Sequence, residues 1–215
     1  MNLTDQDLKE VIIKSQHCYR NYDLTKSFPK EDLELIVHAA TNCPSKQNIA
    51  YYKLHVITDA ETIKKIYHAT DGFIKNHSTG ESTTNSQVLA NVLLVFETEN
   101  YLSRNHESVR NKQMFNAYQN QLTNSDTYVI LRDIQMATGI AAGYANLTSS
   151  MLGYGTGFCC CFDQDIIRDI INVENDIMLL MGIGFKNESV NRCMHPETGF
   201  IFPTFKKQEI QVTYI

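Results

Sequence analysis

Apolar positions along this chain recur at helical spacing, alternate, or run continuously, and these rhythms mark its elements. Thr4-Asp5-Gln6-Asp7 opens a helix: Thr4 can cap it, Asp7 lies toward the positive end of the helix dipole, and Leu3 and Leu8 stand at the staple positions. Leu8, Val11 and Ile12 share a face, which predicts an amphipathic helix to about Lys14. Pro29 suits the first turn of a second helix, carried by Leu33, Ile36, Val37 and Ala40 and ended at Cys43-Pro44-Ser45. Tyr52 to Thr58 alternates as a strand does, and a short helix from Asp59 is buried through Ile63, Ile66 and Tyr67. Residues 70–86 are polar and read mainly as loop. Val92-Leu93-Leu94-Val95-Phe96 is a continuous apolar run, expected of a strand covered on both faces.

Residues 100–125 are polar with scattered Tyr101, Phe115 and Tyr118, which suits loop plus a helix over a pocket. From about Asp126 to Leu152 runs the longest helical pattern, apolar or small nearly all round at its middle, so a central helix buried on most faces is expected. Gly139 and Gly143 in it would allow a neighbouring backbone to come close, and Gly153 ends it. Thr156 to Phe162 reads as a strand, Asp163 caps a helix through Ile171, and Ile177 to Gly184 is a buried strand. An alternating tail, Glu209 to Ile215, wants a sheet edge, which in a dimer could be the partner's. The order α, α, β, α, β, long α, β, α, β, tail describes an α/β sandwich without strict βαβ repetition, in a single domain over residues 1–215.

Composition narrows the function classes. A net charge of −5 argues against duplex nucleic acid as a partner, since phosphate demands clustered positive charge. No apolar run approaches the ~20 residues needed to span a bilayer, and the acidic, polar start is unlike a secretory signal. A cytoplasmic protein is expected. Cys18, Cys43, Cys159, Cys160, Cys161 and Cys193 match no zinc spacing, and consecutive cysteines make a poor disulfide framework, so reduced thiols are expected.

Several short strings admit two readings. Gly153-Tyr154-Gly155-Thr156-Gly157 closes a helix and opens a strand, the reverse of a dinucleotide loop, and is read as a helix stop and turn. Pro44-Ser45-Lys46-Gln47-Asn48 is either a plain polar turn or a binding turn held between buried elements. Lys206-Lys207 either hold a phosphate or face solvent, and Arg20 is as ambiguous alone. Cys159 to Cys161 fit a buried strand as small apolar residues, with a redox role the lesser reading.

In combination these strings resemble the nitroreductase family, most clearly over Val11 to Asp59 and Met136 to Gly184. The strings that carry the likeness are Leu33 to Ala40 leading into Cys43-Pro44-Ser45-Lys46-Gln47-Asn48, and Gly139-Ile140-Ala141-Ala142-Gly143 leading to Met151-Leu152-Gly153. The resemblance implies an α+β fold: a three-layer α/β/α sandwich with a mixed, mostly antiparallel sheet around a long central helix, and a C-terminal arm extending onto a partner subunit. It implies a homodimer with tightly bound, non-covalent FMN at the interface, reduced by NAD(P)H and reoxidised by a nitroaromatic, quinone or similar small acceptor. The flavin carries that chemistry, so no catalytic side chain is required.

Residue by residue, the resemblance implies that Pro44, Ser45, Lys46 and Asn48 form a flavin-contacting turn. Arg20 falls at the pyrimidine edge, where positive charge stabilises reduced anionic flavin. Cys160 and Cys161 match positions whose backbone N–H groups face flavin N5 and O4, Cys159 beside them is counted with the cofactor site, Asn85 falls near the ring, and Lys206 or Lys207 falls on the phosphate. The family commonly opens its site with two basic residues and a serine, where this chain has Gln16, His17 and Cys18. Losing one charge-assisted contact at Gln16 would weaken binding by ~1.5–3 kcal/mol, unless a cation such as Lys46 compensates. Tyr51-Tyr52 replaces the family's Pro-Trp. The alternatives are a specialised dehalogenase-like or flavin-cleaving enzyme, and a flavin-binding dimer without turnover.

Overall fold

A computed structural model describes residues 4–72, 83–99 and 124–215, without the side chains of 47 and 124–130. Leu3, most of the 70–86 loop and the 100–125 segment apart from its last two residues therefore lie outside the described residues. Helix α1 (Asp5–Lys14) begins on a complete capping box between Thr4 and Asp7. Helix α2 (Lys30–Thr41) starts one residue later than the proline suggested: Pro29 is its N-cap, with ψ at 134°. Strand β1 (Tyr52–Ile57) leads to α3 (Ala60–His68), capped by Asp59, and then to β2 (Val92–Thr98). The long helix α4 (Asn124–Met151) is followed by β3 (Gly155–Cys159), α5 (Gln164–Ile171) and β4 (Ile177–Gly184).

The four strands form one sheet in the order β1-β2-β4-β3, and all three ladders are antiparallel. Among the described residues, the parallel pairing that the expected mixed sheet required occurs only as the isolated bridge Cys18–Thr156. Because strand side chains alternate, β2 feeds two cores. Val92, Leu94 and Phe96 pack with α2 and α4, while Leu93 and Val95 pack with α3 and α5. Helices therefore cover both faces, and the three layers follow from a strand with no polar side.

Two expectations need correction. Helix α4 is not buried on most faces: Ile134, Ala137, Ala141, Ala142 and Ala145 are buried, but Met136 and Tyr144 are about half exposed. A Cβ added at Gly139 or Gly143 would meet nothing among the described residues, so no described backbone of this chain approaches them. The third strand is also shorter than read, ending at Cys159 and leaving Cys160 and Cys161 in the connection to α5. The stop after α4 is as expected: Gly153 has φ +93°, Tyr154 N–H donates to Ser149 O (2.9 Å) and Gly153 N–H to Ser150 O (3.1 Å). These paired bonds satisfy the helix's last carbonyls and turn the chain straight into β3.

Phe96 is fully buried beside Tyr52 and sits in the core between sheet and helices. Phe96→Ala is expected to cost about 3–5 kcal/mol, read as a lower midpoint in urea unfolding at unchanged slope.

Candidate active site

The chain leaving α1 runs as an extended segment along β3. Tyr19 N–H donates to Thr156 O (2.8 Å) and Arg20 N–H to Arg192 O (2.7 Å). This lie is possible because β3 is glycine-rich: a Cβ at Gly155 would sit 2.7 Å from the Tyr19 ring, and one at Gly157 would sit 2.5 Å from Gln87 Cβ. The glycines after Gly153 are thus required for close packing, a role beyond the helix stop read from sequence.

Residues Cys18, Arg20, Asn85, Cys159 and Cys161 meet on one wall. Arg20 Nη1 donates to Gln87 Oε1 and approaches Asn85 Oδ1 at 3.5 Å, while its guanidinium carbon lies 3.8 Å from the centre of the Phe202 ring. Asn85 Nδ2 donates to Asp71 O (2.7 Å) and Cys161 O (3.3 Å), and Gln87 Nε2 to Phe158 O (3.1 Å). Among the described residues no carboxylate forms an ion pair with Arg20. Burial pushes the Cys159 thiol up to about 12 and raises Cys18 and Cys160 as well. These thiols stay protonated near neutrality, which removes the thiolate that nucleophilic or redox chemistry needs.

The other site candidates lie elsewhere. Pro44 and Ser45 precede a single 3-10 turn (Lys46–Asn48), and Asn48 takes the left-handed φ of 59°. Lys46, the candidate for compensating Gln16, is engaged by Asp133 of α4 at 2.5 Å. Asn146 of α4 instead lies where the 16–20 segment begins: its Nδ2 donates to Ser15 O (2.9 Å), and its Oδ1 accepts from Thr156 of β3, the strand along which the segment runs. Asp133 and Asn146 are about 20 Å apart along the helix axis, at ~1.5 Å per residue. Gln16 and His17 are exposed at the end of α1, and Lys206 and Lys207 are exposed in the tail.

Gln87, Phe202 and Arg192 were not singled out from sequence. Arg192 Nη1 donates to Cys18 O (2.7 Å), and Lys186 lies 5.5 Å from the centre of the Tyr19 ring. Burial, then the nearby Arg192 and Lys186 cations, lower the His17 pKa. Positive charge therefore surrounds the segment where Gln16 is neutral, supplied from residues 186 and 192. Only Gln87 left a trace in sequence, as the last residue of the polar run that precedes Val88.

Phe202 is held by a buried histidine. His195 is 1% exposed, and its Nδ1 accepts from the backbone N–H groups of Glu197 (3.3 Å) and Thr198 (3.2 Å). The remaining proton is then on Nε2, which faces Thr84 Oγ1 (3.0 Å) and Tyr67 Oη (3.2 Å). Phe202 N–H donates to Cys193 O (3.0 Å) across the same loop.

The sequence matches the model of the nitroreductase family over residues 13–185, so the chain belongs to that family. No curated protein matches it. Similar solved structures include a candidate nitroreductase of Bacillus subtilis (14% identity, 99% of this chain and 100% of that one, TM-score 0.70). A candidate nitroreductase of Exiguobacterium sibiricum, solved in complex with FMN, shares 17% identity over 97% of this chain and 96% of its own (TM-score 0.66). A candidate NAD(P)H:FMN oxidoreductase of Staphylococcus epidermidis shares 18% over 89% and 92% (TM-score 0.64). The chain is thus a nitroreductase-family oxidoreductase by fold and sequence. Among the described residues no helix is long and apolar enough to cross a membrane.

Burial is the main cause that lowers the His195 pKa below 6.5. The unfolded chain takes up this proton as pH falls through about 6.5 while the folded chain does not, so stability is lost below that pH. Thermal melting is expected to drop between pH 7.5 and 5.5, and more shallowly in His195→Asn, whose amide cannot titrate. An equal drop in both proteins would exclude His195 as the source.

Proposed function

We propose that the chain is one protomer of a homodimeric FMN oxidoreductase that takes electrons from NAD(P)H and delivers them to a nitroaromatic, quinone or similar electron-poor acceptor. The observation that carries this reading is the wall around Arg20, where separate stretches converge on a cation that no carboxylate pairs among the described residues. FMN, when bound, supplies the redox chemistry, accepting a hydride and passing on two electrons with protons from solvent. The residues present fit that group, since the wall offers a cation that no described carboxylate pairs, amide dipoles and backbone, and its Cys18 and Cys159 thiols stay protonated. Arg20 faces the pyrimidine edge, Cys160 and Cys161 present backbone to the N5 side, and Asn85 borders the ring. Lys206, Lys207 and Arg192 face the phosphate, with Arg192 supplying the charge that Gln16 lacks.

A second copy completes the site. The Pro44-to-Asn48 turn meets α4 about 20 Å from where the Arg20 segment does, so the turn serves the partner's flavin. Helix α1 buries no residue, and Leu8, Ile12 and Ile13 are exposed. Met136, Gly139, Gly143 and Tyr144 form a bare stripe on α4. The tail leaves Phe205, Ile210, Val212 and Tyr214 in solvent, while β1 is an edge strand with one side unpaired in the sheet. The Glu209–Ile215 arm pairs along that edge of the partner.

Titration with FMN is expected to give a bound flavin absorbance near 450 nm that bleaches anaerobically with NADH or NADPH, about 450 nm being a property of the cofactor. Failure to bind FMN would overturn the reading. Binding without bleaching would select the flavin-binding dimer without turnover. Truncation after Pro203 is expected to yield monomers in sedimentation and to weaken FMN binding at least about tenfold, through loss of Lys206, Lys207 and the arm.

A further inference from the structure

We propose that Gln87, Asn85 and Phe202, the described residues that touch the Arg20 guanidinium, are positioning residues that fix it through neutral contacts and so reserve its charge for the flavin. The proposal rests on the reading that Arg20 faces the cofactor. Gln87 is 4% exposed and Asn85 5%, so both amides are buried. Their orientation is set from behind: Gln87 Nε2 meets Phe158 O, and Asn85 Nδ2 meets Asp71 O and Cys161 O. Those carbonyls can only accept, so both NH2 groups must face them and both amide oxygens must face Arg20. The third contact, the Phe202 face at 3.8 Å, attracts a cation without neutralising it.

The usual partner of a half-buried arginine is a carboxylate, which would hold it in a bidentate pair. Here each position that touches the guanidinium carries an uncharged group close to the size of a carboxylate or larger. Amide dipoles and a ring face offset part of the desolvation cost, and an arriving anionic group finds no counterion to displace. Gln87 is locked further by its backbone, whose carbonyl faces Tyr22 Oη at 3.4 Å. Phe202 is locked by the His195 loop. The cage therefore makes reduced, anionic flavin bind more tightly than oxidised flavin, because it holds a cation in place without cancelling it.

The test is the ratio of FMN affinities in the dithionite-reduced and oxidised states, measured on the full-length protein with Gln87→Glu, Arg20→Gln and the double variant. Arg20→Gln is expected to lower the preference for reduced flavin. If it does not, Arg20 does not face the flavin, and both that reading and the cage fall. Gln87→Glu is expected to lower the ratio about tenfold, equivalent to about 30 mV for a two-electron couple, and to have no further effect in the Arg20→Gln background. If Arg20→Gln lowers the ratio while Gln87→Glu leaves it unchanged, or lowers it equally in both backgrounds, the cage is overturned and the flavin reading stands. Should Gln87→Glu fail to fold by its thermal melt, Asn85→Asp brings a charge to the same guanidinium from the second amide and is subject to the same comparison.

Discussion

The site depends on a backbone approach that tolerates no side chain. The extended segment after α1 lies on β3 with the Tyr19 ring where a Gly155 Cβ would stand, and Gln87 packs where a Gly157 Cβ would stand. That contact places Arg20 beside Gln87 and Asn85, and the Thr156–Asn146 bond ties the same spot to the long helix. An alanine at either glycine would force the segment off the strand, and the guanidinium would leave its acceptors with it. The paired bonds after Met151 serve the same end, since they turn the chain directly from α4 into those glycines.

The chemistry of the wall is set by the charges it omits. It holds the Cys18 and Cys159 thiols protonated by burial, and it gathers an arginine yet gives it no carboxylate among the described residues. Such a wall cannot run nucleophilic or acid–base catalysis by itself. It can orient and polarise a bound group that brings its own reactivity, which is the division of labour expected of a cofactor enzyme. The buried His195 belongs to the support of this wall. Its unprotonated Nδ1 organises the loop that carries Phe202, so a neutral imidazole indirectly helps to hold a cation.

Elements with strong periodicity or explicit stop signals were legible in sequence: the Thr4 cap, the apolar run of β2, the glycine stop at Gly153 and the helix order. Family strings made Arg20, Asn85 and the cysteine segment visible as candidates, and the fold brings these together. Gln87 and Phe202 were not legible, because their roles come from contacts 67 and 182 residues away along the chain with Arg20, which no local pattern encodes. Arg192 was hidden for the same reason. Pro29 was misplaced by one residue because its fixed φ suits both the cap and the first turn.

The misreading of α4 is the most instructive. An apolar and small surface all round a helix implies cover on all sides, but it does not say that one chain supplies the cover. The Ile134–Ala145 face is buried within this chain, and the face of Met136, Gly139, Gly143 and Tyr144 is not. Small residues keep the exposed stripe flat enough for another helix to come close, and no described backbone of this chain does so. The same condition applies to the edge of β1 and to the hydrophobic tail, each of which has half of a pairing. These exposed surfaces, together with the Pro44-to-Asn48 turn held far along the helix from the Arg20 segment, are what the proposed dimer would complete. In the proposed dimer a two-fold partner would cover the helix, pair the edge and bring the turn through a single self-complementary interface.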